Sequence, residues 1–297
     1  MGKTLLGISA SPRKNGNSEL FIKDIFKRMG EGWELRMVRL PELDIKPCKA
    51  CYHCLFDQMR CPQEDDFLAA LTLLAEADAY VVAAPVYLLS ANGSLKGFLD
   101  RGLQFYGFVD RLWAKPGVGV AIAGIDGMEG SGKRDVESFV KLSMGDLRGS
   151  AVVYGALPGE ALLTEGNGEI AERLAQAILD PAMRLKPEGP ACPLCGGDTF
   201  RFLPEGRAKC MLCSGAGPWK EENGSLEFRI DPGDHPLFLD RGSVDRHLEW
   251  LRGMKERFLE KRQELKAVVK PYLGVGTILE SASKKDDKGK GKVDIGT

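Results

Sequence analysis

Thr4-Leu5-Leu6-Gly7-Ile8-Ser9 runs directly into Ala10-Ser11-Pro12-Arg13-Lys14-Asn15-Gly16-Asn17-Ser18, and this stretch decides the fold. An apolar run of strand length comes first, then a small, polar loop, then residues 18–29 with apolar side chains at helical spacing. A strand feeding a loop and a helix opens a parallel α/β unit. The pattern repeats downstream. Further strands are expected at 34–40, 79–84, 117–123 and 151–155. Helices are expected at 67–77, 94–104, 136–146 and 169–179, with Asp65 or Asp66 placed to cap the first of these. Five strands alternating with helices predict an α/β domain with a doubly wound, five-stranded parallel sheet covered on both faces.

In such a sheet, ligands bind beyond the carboxyl ends of the strands, where strand order reverses. A helix N-terminus there offers N–H groups and a partial positive charge to an anion. Hydroxyls of Ser9, Ser11 and Ser18, the Asn17 amide and the Arg13 guanidinium complete a candidate phosphate cradle. The glycine pattern of a dinucleotide loop is missing, and so is G-x4-G-K-[ST]. The loop therefore favours a mononucleotide phosphate, with FMN the leading candidate. A polar surface turn before a capped helix is the plainer alternative.

The eight cysteines fall into two complete sets. Cys48, Cys51, Cys54 and Cys61 read C-x2-C-x2-C-x6-C, with Pro62 next. Three cysteines at two-residue gaps can wrap one face of a cubane cluster while a fourth closes it, so one [4Fe–4S] cluster is the first reading. A zinc loop, free thiols or a Cys51–Cys54 dithiol pair are alternatives. Cys192, Cys195, Cys210 and Cys213 read C-x2-C-x14-C-x2-C, the spacing of a zinc ribbon, with Gly196-Gly197 and Gly215 supplying tight turns. Structural Zn(II) is read here, with a lone redox iron as the alternative.

Two stretches flanking the first cysteine set, together with it, carry a family resemblance. Gly7 to Ser18 looks like the opening of the NADPH-dependent FMN reductase family, which has a flavodoxin-like fold. Ala84-Pro85-Val86-Tyr87-Leu88-Leu89-Ser90, continuing through Leu95-Lys96-Gly97-Phe98-Leu99-Asp100-Arg101, resembles its second signature. The compact cysteine set between them resembles the iron–sulfur flavoprotein branch. The resemblance covers about residues 1–185. It implies that Ser9, Ser11, Arg13, Asn15, Asn17 and Ser18 hold the FMN phosphate, and that Pro85, Val86, Tyr87 and Leu88 border the flavin ring. The loop from Ala123 and Gly124 to Met128 stands where the family places a Gly-rich flavin contact, although glycines are sparser here. It further implies ferredoxin or NAD(P)H as electron donor, and a homo-oligomer in which one subunit's cluster approaches another's flavin.

The remaining features set bounds. A chain of 297 residues suits one sizeable domain plus a smaller module. The divisions read are 1–185 for the FMN domain with its cysteine loop at 48–61, 186–240 for the zinc-ribbon module, 241–273 for a helix and 274–297 for a disordered tail. A net charge of -1 gives no sign of a nucleic-acid surface or a polybasic membrane face. The longest apolar region, 67–89, is broken by Glu76 and Asp78, so no membrane span is read and the protein is placed in the cytoplasm. His53, His235 and His247 form no triad-like or metal-spaced group and read as surface residues. No catalytic side chain is required, because flavin carries the redox chemistry itself. The expected function is an FMN-dependent oxidoreductase passing electrons between a [4Fe–4S] cluster, FMN and an external carrier. One alternative is an NAD(P)H-dependent flavin or quinone reductase without a cluster. Another is a flavin-binding sensor or assembly protein that docks a partner through its zinc ribbon.

Overall fold

A computed structural model describes residues 2–277. The chain up to Arg252 forms one compact unit, and Gly253 onward forms a second. In the first, β1 (Lys3–Ser9), β2 (Trp33–Arg39), β3 (Ala79–Tyr87), β4 (Pro116–Ala123) and β5 (Asp146–Tyr154) make a parallel sheet in the order β2-β1-β3-β4-β5. The order reverses between β1 and β3, as in the flavodoxin-like arrangement expected. Helices α1 (Asn17–Lys27), α2 (Phe67–Glu76), α3 (Gly93–Leu99), α4 (Gly132–Leu142) and α5 (Glu165–Leu179) connect the strands.

Strand β3 shows why both faces are covered. Tyr80, Val82 and Ala84 pack with Phe67, Phe98 and Phe139, while Val81 and Ala83 pack with Phe21, Ile22 and Leu174. Successive side chains of a strand point to opposite faces, so an unbroken apolar run needs apolar cover on each. Each large side chain buried this way contributes about 1.5–3 kcal/mol.

Three local outcomes differ from expectation. Strand β5 begins at Asp146 instead of residue 151, and α4 stops at Leu142. The chain turns at Met144, whose φ is 66°, and the polar Arg148 and Ser150 obscure the strand pattern. Helix α3 ends at Leu99 and a 3-10 segment, Gly102–Phe108, follows it. Asp66 caps no N–H of α2; its carboxylate accepts the Asp44 N–H at 2.8 Å, while Asp65 accepts Phe67 N–H at 3.2 Å among other donors.

Strands β6 (Phe200–Leu203), β7 (Arg207–Cys210), β8 (Ala216–Glu222) and β9 (Ser225–Phe228) make a separate antiparallel sheet. Its small core holds Cys192, Cys210, Cys213 and Ile230, with the Phe200 and Phe228 rings stacked at 3.8 Å. Lys133 of α4 forms an ion pair with Asp198 just before β6. Helix α6 (Arg241–Val269) starts inside the first unit, where Val244, Leu248 and Leu251 join the core that holds Tyr80. The histidines expected at the surface meet here: His235 Nε2 lies 2.5 Å from His247 Nδ1, and the His247 ring stacks on Trp250. The second unit continues α6, and a 3-10 turn, Lys270–Tyr272, follows that helix. The tail expected at 274–297 falls mostly outside the described residues. Among those described, no helix is long and apolar enough to cross a membrane.

Candidate active site and metal centres

The loop after β1 curls on its own hydroxyls. Ser9 Oγ accepts the Ser11 N–H at 3.3 Å, and Ser11 Oγ accepts the Arg13 N–H at 3.2 Å. Gly16 precedes α1, and no side chain caps that helix, which keeps its first N–H groups for an anion. A Cβ at Gly16 would stand 3.0 Å from Arg13 Cβ and 3.4 Å from Ser11 Oγ, filling the cradle. Ser11, Arg13, Asn17 and Ser18 share a crevice of about 210 Å³ with Pro85, Val86 and Tyr87 at the end of β3 and Gly124 after β4. Gly155, Ala156 and Pro158, after β5, close it. It therefore lies at the β1–β3 switch point, where this architecture places ligands. A cavity of about 550 Å³ between Lys133, Glu137, Arg184 and Cys195 lies elsewhere, beside the cysteine module.

Not every expected residue reaches the crevice. Ser9 and Ala123 are buried and do not line it. Asn15, at φ 52°, gives its N–H to Glu19 at 3.1 Å. The Asn17 amide is engaged elsewhere. Its Nδ2 donates to the carbonyls of Gly155 at 2.8 Å and Leu157 at 2.9 Å, and its Oδ1 accepts the Gly159 N–H at 2.8 Å. Asn17 is thus a clamp between the loops after β1 and β5. Glu19, one turn into α1, is ionised beside the crevice. Burial opposes this, but Lys23, the Asn15 N–H and Arg39 hold its carboxyl below its ordinary range. Those two cations offset the charge that would otherwise repel an anion.

The crevice rim is a strained turn. Leu88 and Leu89 have φ of 50° and 64° between β3 and its short antiparallel return, Ser90–Ala91, and Leu88 is fully exposed. Such values are uncommon for leucine and persist where surroundings enforce them. Ser131 N–H donates to the Leu89 carbonyl at 2.8 Å. Gly130 makes this approach possible, since a Cβ there would lie 2.2 Å from that carbonyl oxygen. Asp135 accepts Ser90 Oγ–H at 2.7 Å, Ala91 N–H at 3.0 Å and Ser131 Oγ–H at 2.9 Å. Burial opposes its ionisation, but Ser90, Ala91, Arg134 and Ser131 together hold its carboxyl below the usual range. Because the folded pKa lies below the unfolded one, the contribution is complete above about pH 4 and is lost as pH falls through the native value. Asp135→Ala is expected to leave these donors unpaired, cost about 1–3 kcal/mol, and weaken flavin binding. Thermal melts and flavin-fluorescence titration check both effects.

The first cysteine set lies on the loop between β2 and α2, and its neck is tied. Asp66 N–H donates to the Asp44 carbonyl at 3.0 Å, and Lys46 N–H to Asp65 at 3.0 Å. Between them, Ala50, Tyr52, Gln58 and Met59 all take left-handed φ values, winding the loop tightly. Cys48, Cys51, Cys54 and Cys61 line one small enclosure of about 20 Å³ with Arg101 and Gln104. Burial raises the Cys54 pKa, and Cys61, Cys48 and Cys51 add to the rise, as expected for thiols gathered at one place. Gln104 Nε2 is buried with no hydrogen-bond partner among the described residues. Four thiols with buried N–H donors beside them fit a sulfur-rich group. His53 instead pairs with Asp57 at 3.1 Å.

The second set is drawn tighter. Its four sulfurs lie within 4.8 Å of one another, with Cys192 to Cys213 at 3.7 Å and Cys195 to Cys210 at 3.6 Å. A tetrahedral zinc with Zn–S of about 2.3 Å requires S···S separations of about 3.8 Å. A cubane binds each thiolate through a different iron and holds the sulfurs farther apart. The spacing of these four sulfurs fits a single four-coordinate ion. Gly196 and Ser214 take the left-handed positions of the two knuckles, so a serine stands where Gly215 was expected to turn the chain. Hydrogen bonds from the other three sulfurs favour the Cys192 thiolate and push Cys195 up.

The sequence model of the NADPH-dependent FMN reductase family matches residues 4–156. The chain belongs to that family. An iron–sulfur flavoprotein of Archaeoglobus fulgidus is 32% identical over 160 residues, covering 52% of this chain and 70% of that protein. One of Methanosarcina thermophila is 34% identical over 121 residues, covering 40% of this chain and 63% of its own length. A solved flavone reductase shares the fold with a TM-score of 0.67 at 20% identity, covering 93% of this chain and 100% of that one. As a member of the FMN reductase family, the chain is an FMN-dependent oxidoreductase. What sequence reasoning missed in this FMN reductase is its framework, namely Asp135, Tyr154, Arg101 and Gln104. Tyr154 fixes the loop after β4 by donating to Glu129 at 2.9 Å. Only the Asp100-Arg101 step of the second family signature carried any hint of it.

Proposed function

We propose that this oxidoreductase works as an iron–sulfur flavoprotein, moving electrons between a [4Fe–4S] cluster on Cys48, Cys51, Cys54 and Cys61, FMN and an external carrier. The observation that carries this reading is the wound loop that turns four cysteines onto one enclosure beside buried N–H donors. The names of the relatives support it. The FMN phosphate would sit on the Ser11 and Ser18 hydroxyls, Arg13 and the first N–H groups of α1. Pro85, Val86, Tyr87 and Gly124 would flank the ring. When bound, FMN supplies two-electron and one-electron chemistry, and the cluster supplies one-electron exchange. The chain's own residues hold and orient. Asn17 ties the phosphate loop to the loop after β5, and Asp135 fixes the rim. NAD(P)H or ferredoxin is the donor in this reading. Exposed Leu88, Ile125, Met128 and Leu157 near the crevice suit contact with a second copy in a homo-oligomer. The second cysteine set is taken as the structural Zn(II) site of a module at 186–240, appended to an FMN domain at 1–185 and followed by a helix at 241–273. The protein is taken to be cytoplasmic.

Anaerobic purification with iron and acid-labile sulfide analysis tests the reading. About four irons and four sulfides per chain are expected, together with one FMN. Cys61→Ser should lower iron and sulfide severalfold while FMN content stays near one. Sulfide-free protein that still turns over with NAD(P)H would leave a cluster-free flavin or quinone reductase instead.

A further inference from the structure

We propose that Arg101 and Gln104 donate N–H hydrogen bonds to the sulfurs of the metal centre in the first cysteine loop and raise its reduction potential. This rests on the cluster reading above and adds a role for two residues outside the ligand set.

Arg101 is 3% exposed, and several partners hold its guanidinium. Nη1 donates to the Lys46 carbonyl at 2.9 Å and to Asp65 Oδ2 at 2.5 Å, while Nη2 reaches Asp65 Oδ1 at 3.4 Å. The group lies 4.8 Å from the Phe67 ring centroid. Asp65 is itself fixed by the N–H groups of Lys46 and Phe67. A guanidinium has five N–H donors in a rigid fork, so these contacts leave donors for the remaining direction. Arg101 lines one enclosure with Cys61 and the other three cysteines. Gln104 is equally buried, and its Nε2 has no partner among the described residues although it lines the enclosure with the four cysteines. Buried amide donors almost always find an acceptor, and the enclosure that Gln104 lines gathers the four cysteine sulfurs. Each donor comes from the chain just after α3, beyond the cysteine loop itself.

Reduction of the centre adds one electron, delivered by the reduced flavin or an external carrier, and takes [4Fe–4S]²⁺ to [4Fe–4S]⁺. N–H donors and a nearby cation stabilise the added negative charge and so raise the potential. Asp65 opposes them, and its loss should act with the opposite sign.

The test is a redox titration of anaerobic full-length protein, following the cluster by EPR and the flavin by absorbance. Arg101→Gln and Gln104→Leu are each expected to lower the cluster potential, and Asp65→Asn to raise it, with the flavin potential unmoved. Arg101→Lys should fall between the unmodified protein and Arg101→Gln. A loosened neck alone would move Arg101→Gln and Asp65→Asn in the same direction, and that result overturns the inference. A Gln104→Leu protein with a higher melting temperature and an unchanged potential overturns it as well. Should the Arg101 and Asp65 variants fail to load iron, pulsed EPR of unmodified protein grown on guanidino-¹⁵N arginine decides the Arg101 contact. A nitrogen hyperfine coupling to the reduced cluster supports it and its absence sinks it. Unmodified protein without iron and sulfide would remove the cluster reading, and with it this inference, whereas loaded protein with unmoved potentials removes the inference alone.

Discussion

Removing the metal from Cys192, Cys195, Cys210 and Cys213 is expected to unfold the four-stranded module while the FMN domain stays folded and yellow. The module buries two aliphatic side chains, Ala208 and Ile230, and otherwise relies on the cysteines themselves and the Phe200–Phe228 stack. That core supplies only a few kcal/mol, whereas a structural zinc in a peptide of this kind is worth about 10–16 kcal/mol at neutral pH. Cys210→Ser is the sharpest form of the experiment, since that thiol is fully buried. Limited proteolysis should then cut within residues 190–231, which resist cleavage when loaded, while flavin absorbance is kept. Atomic absorption should find one zinc per unmodified chain. A metal-free chain that still resists protease across this segment would show that the module folds on its own contacts.

Asn17→Asp is expected to weaken FMN binding by at least about a hundredfold, at about 1.4 kcal/mol per tenfold. The substitution keeps the shape and exchanges the Nδ2 donor for an oxygen. The Gly155 and Leu157 carbonyls would then face a carboxylate instead of an amide, at a cost of about 2–4 kcal/mol for two lost bonds and the repulsion that replaces them. A negative charge about 6 Å from a bound phosphate adds on the order of 3 kcal/mol per phosphate charge at an effective dielectric of about 20. Both effects act on the holoprotein, and the first acts on the empty fold too. Fluorescence titration with FMN and thermal melts of the apoprotein separate them. Affinity within about threefold of the unmodified chain would mean that the phosphate binds away from this loop.

The sheet was legible because its strands are continuous apolar runs bounded by turn residues, as Ala79 to Ala84 shows. The edge strand was half hidden. Ser150 donates to Glu137 of α4, which also pairs with Lys133, while Arg148 donates to the Asp180 and Pro181 carbonyls, so the strand's burial pattern is mixed. Glu137 illustrates the cost of that arrangement. Burial pushes its carboxyl pKa up against the Ser150 hydrogen bond and Lys133. Both cysteine sets were legible from spacing, since knuckles of two intervening residues constrain where thiolates can point. The supporting polar residues were not. Asn17 meets Gly155 across 138 positions, and Arg101 meets Asp65 across 36, so only the crossovers of the fold bring them together. The histidine pair was missed for the same reason, because a loop returning onto α6 joins His235 to His247.

The first turns of α4, with Ser131 just before them, hold two neighbours at once. Ser131 and Asp135 grip the strained leucine corner beside the crevice, while Lys133 and Glu137, two positions along in each case, reach Asp198 and the outer strand. The appended module is therefore moored to the same short segment that shapes the mouth of the crevice. From Cys195 the chain reaches Asp198 within three residues, and the ion pair of Asp198 with Lys133 carries the link across to α4, so a disturbance at one end has little scaffold in which to dissipate before it arrives at the other.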